Sequence, residues 1–486
     1  MKREFLLNIA LLLVLNLLVK PFYIFGIDRT VQNQVGTEAY GLYFTFFNLA
    51  LLLQIVHDFG IQNFNNRAIS QHRQLLGKYF PNLLLVKLAL SAAYLVLAMV
   101  VALALGYGAE IWPLLFGVLF VQVLSSLLLF LRSNISGLGF YRTDSLLSAL
   151  DRLLLIFLVG GLLLMESRVG PFQIEWLVYG QVAAVGITAL IAFAVLRGHL
   201  TAIRFRWRKP LVWWLLKKSF PFALVILLMT LYTRLDAVML ERMLPDGKHE
   251  TGVYASAYRL LDASNMVGYL FASLLLPMFA RLLKTKGSIG PLLETSFQLI
   301  MAGAWSLSLG VFFFRNEIAA WLYPDATPYW GDVLGYLMLS FVAMSGAYIF
   351  GALLTANGRL GPMNRLFLVG IAINFTLNLL LIPHYKAFGA AIATLITQVL
   401  IWIGQMVLAK RMLGLMPTGG ALLRQALFAV AVGFLFFFLS EWNAAAQWQF
   451  RFMAGVAGSI VMALVFRLLP LRGALAEFRK GNLNDF

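Results

Sequence analysis

The chain contains no cysteine, so neither a disulfide framework nor a thiolate metal site is open to it. Charged residues are scarce at 12%, too few to coat a soluble globule of 486 residues. The five histidines, His57, His72, His199, His249 and His384, fall in no HExxH-like spacing, which argues against a metalloenzyme. No GxxxxGK(S/T) stretch is present and no GxGxxG follows a strand, so ATP hydrolysis has no phosphate cradle here. What fills the chain instead is apolar. Hydrophobic residues make up 61%, mean hydropathy is +0.83, and the surplus apolar surface has to face lipid.

A net charge of +17 signals nucleic-acid binding only when basic residues gather on one polar face with aromatics between them. Here they sit in short loops between apolar stretches, which argues against nucleic acid as a partner and makes the charge a marker of topology. Runs of about 20 mostly apolar residues, each about 30 Å long as a helix, place spans at 5–26, 41–62, 80–105, 112–132, 145–165, 175–196, 220–242, 253–276, 291–314, 332–355, 360–382, 387–409, 422–440 and 450–469. Met1-Lys2-Arg3 gives the first a signal-peptide-like start, but no small-residue cleavage site follows, so it is read as a retained span. With the N-terminus cytoplasmic, roughly 26 Lys and Arg residues fall on the cytoplasmic side and roughly eight on the other, as the positive-inside rule requires. The expected fold class is an all-α integral membrane protein of about 14 transmembrane helices with both termini cytoplasmic.

An internal repeat divides these spans. Gly41-Leu42-Tyr43 opens the second and Gly252-Val253-Tyr254 the eighth; Asn134 to Arg142 resembles Ala356 to Arg365; Gln181 is matched by Gln398. An even number of spans per half makes the halves parallel repeats, with a site between them. The expected organisation is a six-helix lobe over 1–196, a basic cytoplasmic linker over 197–219, a second six-helix lobe over 220–410, and two further helices with a basic tail over 411–486. The linker carries Arg197, Arg204, Arg206, Arg208, Lys209, Lys217 and Lys218, with Trp207, Trp213 and Trp214 suited to the headgroup region. No outward loop exceeds about 20 residues, leaving no extramembrane domain for enzyme chemistry.

Ionisable residues inside spans cost a few kcal/mol each and so require a reason. Lys87 and Arg152 lie within about two turns of the cytoplasmic ends of their spans, where snorkelling suffices. Lys20, Arg234 and Arg259 lie about 9 to 12 Å deep from the outer ends of spans one, seven and eight, and are expected to line one central cavity as a cationic layer. Asp262 follows Arg259 by three positions and shares its helix face. Asp236 lies about 200° around the helix from Arg234, so it needs a partner on another helix, a cation or a proton; Asp236 and Asp262 are the candidates for ion coupling or pairing. Asp58, close to Arg67 near the inner end of span two, is a structural cap or a cytoplasmic gate. Asn374 and Asn378, one turn apart, are expected to bond neighbouring helices. No cofactor or metal is implied.

The residues carry a resemblance over nearly the whole chain. Tyr40-Gly41-Leu42-Tyr43 leads to Asp58-Phe59-Gly60-Ile61 and Arg67; Tyr232 to Leu240 contains Asp236; Gly252-Val253-Tyr254-Ala255 leads through Tyr258-Arg259-Leu260 to Pro277; Asn378 to Pro383 precedes Gly389-Ala390-Ala391-Ile392-Ala393-Thr394. This pattern resembles the Wzx-type polysaccharide flippases of the multidrug/oligosaccharidyl-lipid/polysaccharide exporter superfamily. The resemblance implies paired six-helix lobes in a bacterial inner membrane, moving a polyprenyl-diphosphate-linked oligosaccharide from the cytoplasmic to the periplasmic leaflet. Membrane lipids and a polysaccharide polymerase would be its partners. It also implies that Lys20 and Arg259 occupy places like those of cavity arginines in related lipid II flippases. Lys386 departs from the family, whose members often have Gly in the turn before Gly389. The rival readings are a cation-coupled multidrug exporter of the same architecture, in which Asp236 would dominate, and a membrane-embedded polyprenyl-sugar transferase.

Overall fold

Inside a bilayer every backbone N–H and C=O must be satisfied within the protein, and helices do this segment by segment. The computed structural model describes residues 18–19, 21–62, 65, 69, 74, 76–165, 170–199, 209–442 and 447–469, and among them all regular structure is helical. A π-helical turn, Tyr23–Asp28, leads into α1 (Arg29–Val35), α2 (Thr37–Leu52) and α3 (Gln54–Asp58). Then follow α4 (Leu76–Ala104), α5 (Trp112–Gly137), α6 (Tyr141–Leu164), α7 (Ile174–Arg197), α8 (Lys209–Met243) and α9 (Gly247–Thr285). The remainder is α10 (Gly290–Phe313), α11 (Arg315–Leu322), α12 (Pro328–Asn357), α13 (Gly361–Leu413), α14 (Gly419–Glu441) and α15 (Trp448–Val465).

Local sequence explains many of the boundaries. Proline stands in the first turn of α5, α10, α12 and α13, where a missing N–H loses nothing. Gly358 and Gly414 end α12 and α13 at φ of 75° and 69°, a left-handed backbone that glycine adopts without penalty. The Thr418 hydroxyl accepts from the Ala421 N–H at 3.2 Å and caps α14.

Eleven helices among the described residues are long and apolar enough to cross a membrane, and the chain is a multi-pass membrane protein. The sequence expectation of about fourteen differs from this at three places. Most of span one lies outside the described residues. Span two is interrupted at Leu53, leaving α2 at 16 residues and α3 at five. Spans eleven and twelve are counted once, within α13, although its 53 residues are two helices separated by a turn at Lys386, where φ is 52° and ψ −131°.

The chain forms two compact units, Met1–Ser256 with Phe375–Ala390, and Ala257–Asn374 with Ala391–Phe486. In the first unit Phe80 of α4 stacks on Phe130 of α5 at 5.6 Å between ring centroids, among Leu83, Leu128 and Leu131. The second unit is locked by Phe314, whose ring meets Phe436 of α14 at 6.4 Å and Phe452 of α15 at 5.8 Å. Gly455 of α15 gives Phe436 its place, since a Cβ there would collide with that ring. Many large apolar side chains, including Phe157, Leu164, Phe434 and Val465, are exposed, as lipid-facing positions should be.

Candidate functional site

Arg234 lies in α8 and Arg259 in α9, and both side chains are half-buried. Ionisable side chains inside long, largely apolar helices are costly to bury and mark a candidate substrate or ion path. The two arginines belong to different compact units. Lys20 lies outside the described residues. Asp262, three positions beyond Arg259 in α9, is half-buried as well.

Asp236 is fully buried. Its Oδ2 accepts from the Tyr254 hydroxyl at 2.9 Å and its Oδ1 from Asn378 Nδ2 at 2.6 Å. The partner side chains that its position on the far side of α8 demanded thus come from α9 and α13. Asn378 bonds a neighbouring helix, as amides in spans commonly do.

Near the C-terminal end of span two Asp58 is ion-paired with Lys87 of α4 at 2.7 Å, while Arg67, its expected neighbour, lies outside the described residues. This corrects the snorkelling expected of Lys87. The side chain is 1% exposed and turns inward, because a carboxylate and the His57 carbonyl, 3.0 Å from Nζ, lie within its reach. Arg152 is partly exposed, with its guanidinium 5.1 Å from the Tyr23 ring centroid.

A second polar region surrounds the α8–α9 turn. A Cβ on Gly41 of α2 would collide with the Lys248 carbonyl and lie 2.7 Å from the Gly252 nitrogen; a Cβ on Gly252 would collide with the Thr37 carbonyl. The two glycines of the sequence repeat therefore face each other, allowing two backbones to touch. Gln32 adds a hydrogen bond from Nε2 to the Gly252 carbonyl at 3.1 Å. Beside this contact the Tyr107 hydroxyl donates to Glu241 Oε2 at 2.8 Å, Arg242 pairs with the same oxygen at 2.8 Å, and its guanidinium lies 3.6 Å from the Tyr107 ring centroid. Burial and the Glu241 carboxylate push the Tyr107 phenol well above its usual range.

Lys386 completes this region. Its ammonium pairs with Asp246 and lies 3.4 Å from Glu250, whose Oε2 accepts from the Ala387 N–H at 3.3 Å. The hydrogen bond between Lys386 and Asp246 lowers the Asp246 carboxyl below its ordinary value and raises the Lys386 ammonium above its own. Sequence reasoning missed Tyr107, Glu241, Asp246 and Glu250. The available signal was three acidic residues within ten positions around the α8–α9 turn, with Lys386 as a basic residue between two apolar runs further along the chain.

Residues 5–283 match the family model described as polysaccharide biosynthesis protein. No curated protein matches the chain. Among solved structures, a lipid II flippase, MurJ, in an inward closed conformation is similar with a TM-score of 0.75 at 14% identity, covering 96% of this chain and all of the other. An inward-facing multidrug resistance transporter of the MATE family has a TM-score of 0.61 at 14% identity, covering 82% of this chain and 97% of the other. A single-residue mutant of VcmN, a MATE transporter from Vibrio cholerae, has a TM-score of 0.54 at 14% identity, covering 83% and 97%. At these identities the likeness establishes the fold.

Proposed function

This chain belongs to the polysaccharide biosynthesis protein family, and from that premise we propose that it is a flippase carrying a polyprenyl-diphosphate-linked oligosaccharide from the cytoplasmic to the periplasmic leaflet of a bacterial inner membrane. A diphosphate-linked sugar cannot shed its hydration to cross about 30 Å of hydrocarbon, whereas its lipid tail can stay between helices. In this reading the chain has about fourteen spans with both termini cytoplasmic. The lobes are 1–196 and 220–410, joined by the basic segment 197–219 and followed by 411–486. Lys20, Arg234 and Arg259 hold the diphosphate. Asp236 and Asp262 serve ion coupling or pairing, and Asp58 with Arg67 closes the cytoplasmic side. A polymerase acting on the delivered sugar is the expected protein partner.

The observation that carries the proposal is the family match combined with guanidinium groups half-buried inside apolar helices. Cationic side chains at these positions favour an anionic substrate and would repel a cationic drug. The fold, shared with MATE transporters, also admits the multidrug reading. The test reconstitutes the protein in vesicles and follows leaflet exchange of a fluorescent polyprenyl-diphosphate oligosaccharide beside efflux of a cationic dye. Exchange of the lipid without dye transport is the expected result. Dye transport without lipid exchange would replace this function by the exporter.

A further inference from the structure

Arg152 stands deep in α6. The helix ends twelve residues beyond it at Leu164, about 18 Å at helical rise, which puts Arg152 near the middle of a hydrocarbon layer about 30 Å thick. Snorkelling would send its guanidinium along the helix toward headgroups. Instead the group lies 5.1 Å from the Tyr23 ring centroid. Tyr23 is likewise twelve residues before Val35, where α1 gives way to α2, so the two side chains meet at a matching depth. Further along the same pair of segments Gly160 of α6 faces Ile27, whose Cδ1 would lie 3.2 Å from an added Cβ.

Residues seven positions apart share one stripe of a helix. Ser145 and Val159, seven before and seven after Arg152, are 2% and 0% exposed, yet the Arg152 side chain is 38% exposed. The lipid-facing stripe is elsewhere: Leu146, Phe157 and Leu164 are all strongly exposed and lie about 120–140° around the helix. The opening at Arg152 is therefore a recess on the packed face of α6.

One wall of the recess is the π-helical turn Tyr23–Asp28, a distortion that recurs at functional sites. The buried Asp28 carboxylate accepts from the Tyr40 hydroxyl at 2.6 Å and from the Tyr23 hydroxyl at 3.4 Å, which fixes the ring that faces the guanidinium. A ring against one face of a guanidinium leaves the N–H donors at its edge, in the fork that fits a phosphate. The Asp151 carboxylate is 3.7 Å from Arg152 Nε, beyond hydrogen-bond length. A cation with a purely structural task is enclosed, as Lys87 is, 1% exposed and within 2.7 Å of its carboxylate. Arg152 is held on one side and open on another.

We infer that Arg152, seated against Tyr23, is a phosphate-binding residue in a hydrated recess of the first compact unit, and that it takes a phosphate of the lipid-linked substrate. Arg234 of the same unit lies nine residues from the end of α8, about 14 Å by the same count. Arg152 thus adds a second cationic level about one turn deeper, shortening the stretch over which a diphosphate would lack a partner. The choice of lipid rests on the flippase reading; the phosphate site does not.

The test uses the full-length protein. In lipid nanodiscs, open to water on both faces, Arg152→Cys should react with a water-soluble cationic methanethiosulfonate, and Phe157→Cys on the lipid stripe should not. Failure of Arg152→Cys to react would overturn the recess. In detergent, affinity for the fluorescent polyprenyl-diphosphate oligosaccharide should fall roughly tenfold to a hundredfold in Arg152→Gln. Arg152→Lys, which keeps the charge and loses the fork, should fall less. Tyr23→Leu should weaken binding severalfold, and Arg142→Gln, exposed at the start of α6, should bind as wild type. Wild-type affinity in folded Arg152→Gln and Tyr23→Leu would overturn the site. Arg152-dependent binding of phosphatidylglycerol, with none of the oligosaccharide probe, would keep the phosphate site and reject the flippase substrate as its occupant.

Discussion

At the scale of single residues, the most informative position is Lys386. A side chain at φ of 52° is strained by about 1 kcal/mol or more, and such strain persists only where the surroundings impose it. Here the surroundings are Asp246 and Glu250. Lys386→Ala keeps the strained Cβ and loses the ion pairs, whereas Lys386→Gly loses the pairs but relieves the backbone. Thermal unfolding in detergent should therefore find the glycine variant about 1 kcal/mol more stable than the alanine variant. The pair also sets a pH window. The depressed Asp246 contributes stability above its unfolded carboxyl range, lost as pH falls through its folded value; the raised Lys386 contributes below the free-amine range, lost as pH rises through its folded value. Both glycine and alanine variants should show flatter acid and alkaline limbs than wild type in the same measurement. At Asp236, Tyr254→Phe removes a donor from a buried carboxyl group and should destabilise by about 1–2 kcal/mol. A double-mutant cycle with Asn378→Ala should show non-additivity, since both side chains bond one group.

At the scale of elements, the contact between α2 and the start of α9 depends on two missing side chains. Gly41→Ala and Gly252→Ala each drive a Cβ into backbone and should destabilise by about 1–3 kcal/mol or more, because neither helix can yield without moving the other. Gly303 in α10 is the control: it is exposed, with open space around an added Cβ, so Gly303→Ala should stabilise by about 0.5–1 kcal/mol through helix propensity alone. Most helices were legible in the sequence because an uninterrupted apolar run of span length has few alternatives in lipid. The break at Lys386 was legible too, since Pro383 to Lys386 interrupts the apolar run between spans eleven and twelve; the one at Leu53 was not, because it interrupts the helix without interrupting hydrophobicity. The repeat pairing Gly41 with Gly252 was legible as a pattern, whereas their mutual contact arises only from tertiary packing. The inward turn of Lys87 was missed for a related reason: its depth follows from counting residues along the span, but the direction of its partner does not.

At the scale of the whole molecule, a chain without cysteine allows topology to be read one introduced thiol at a time. On the positive-inside expectation the start of α8 is cytoplasmic and the α8–α9 turn lies outside. A membrane-impermeant maleimide applied to intact cells should label Lys386→Cys and spare Lys217→Cys, both exposed positions; labelling of the reverse pattern would invert the orientation. The family and the all-helical, multi-pass fold were accessible from the sequence because loose motifs recur in order between long apolar runs. The candidate site was less accessible. Sequence could flag Arg234, Arg259 and Asp236 as expensive to bury, but only packing shows Asp236 bonded by Tyr254 and Asn378, and Asp58 paired with Lys87.

The central claim is that intramembrane cations carry an anionic lipid-linked headgroup, and it is tested most directly by leaflet exchange of the fluorescent polyprenyl-diphosphate oligosaccharide in vesicles containing wild type, Lys20→Ala, Arg234→Ala or Arg259→Ala. Losing a charge-assisted contact to phosphate is worth about 1.5–3 kcal/mol, or roughly tenfold to a hundredfold in rate if the contact is made in the rate-limiting state. Each variant is expected to remain folded and to slow exchange by that margin. Three folded variants exchanging lipid at the wild-type rate would contradict the account.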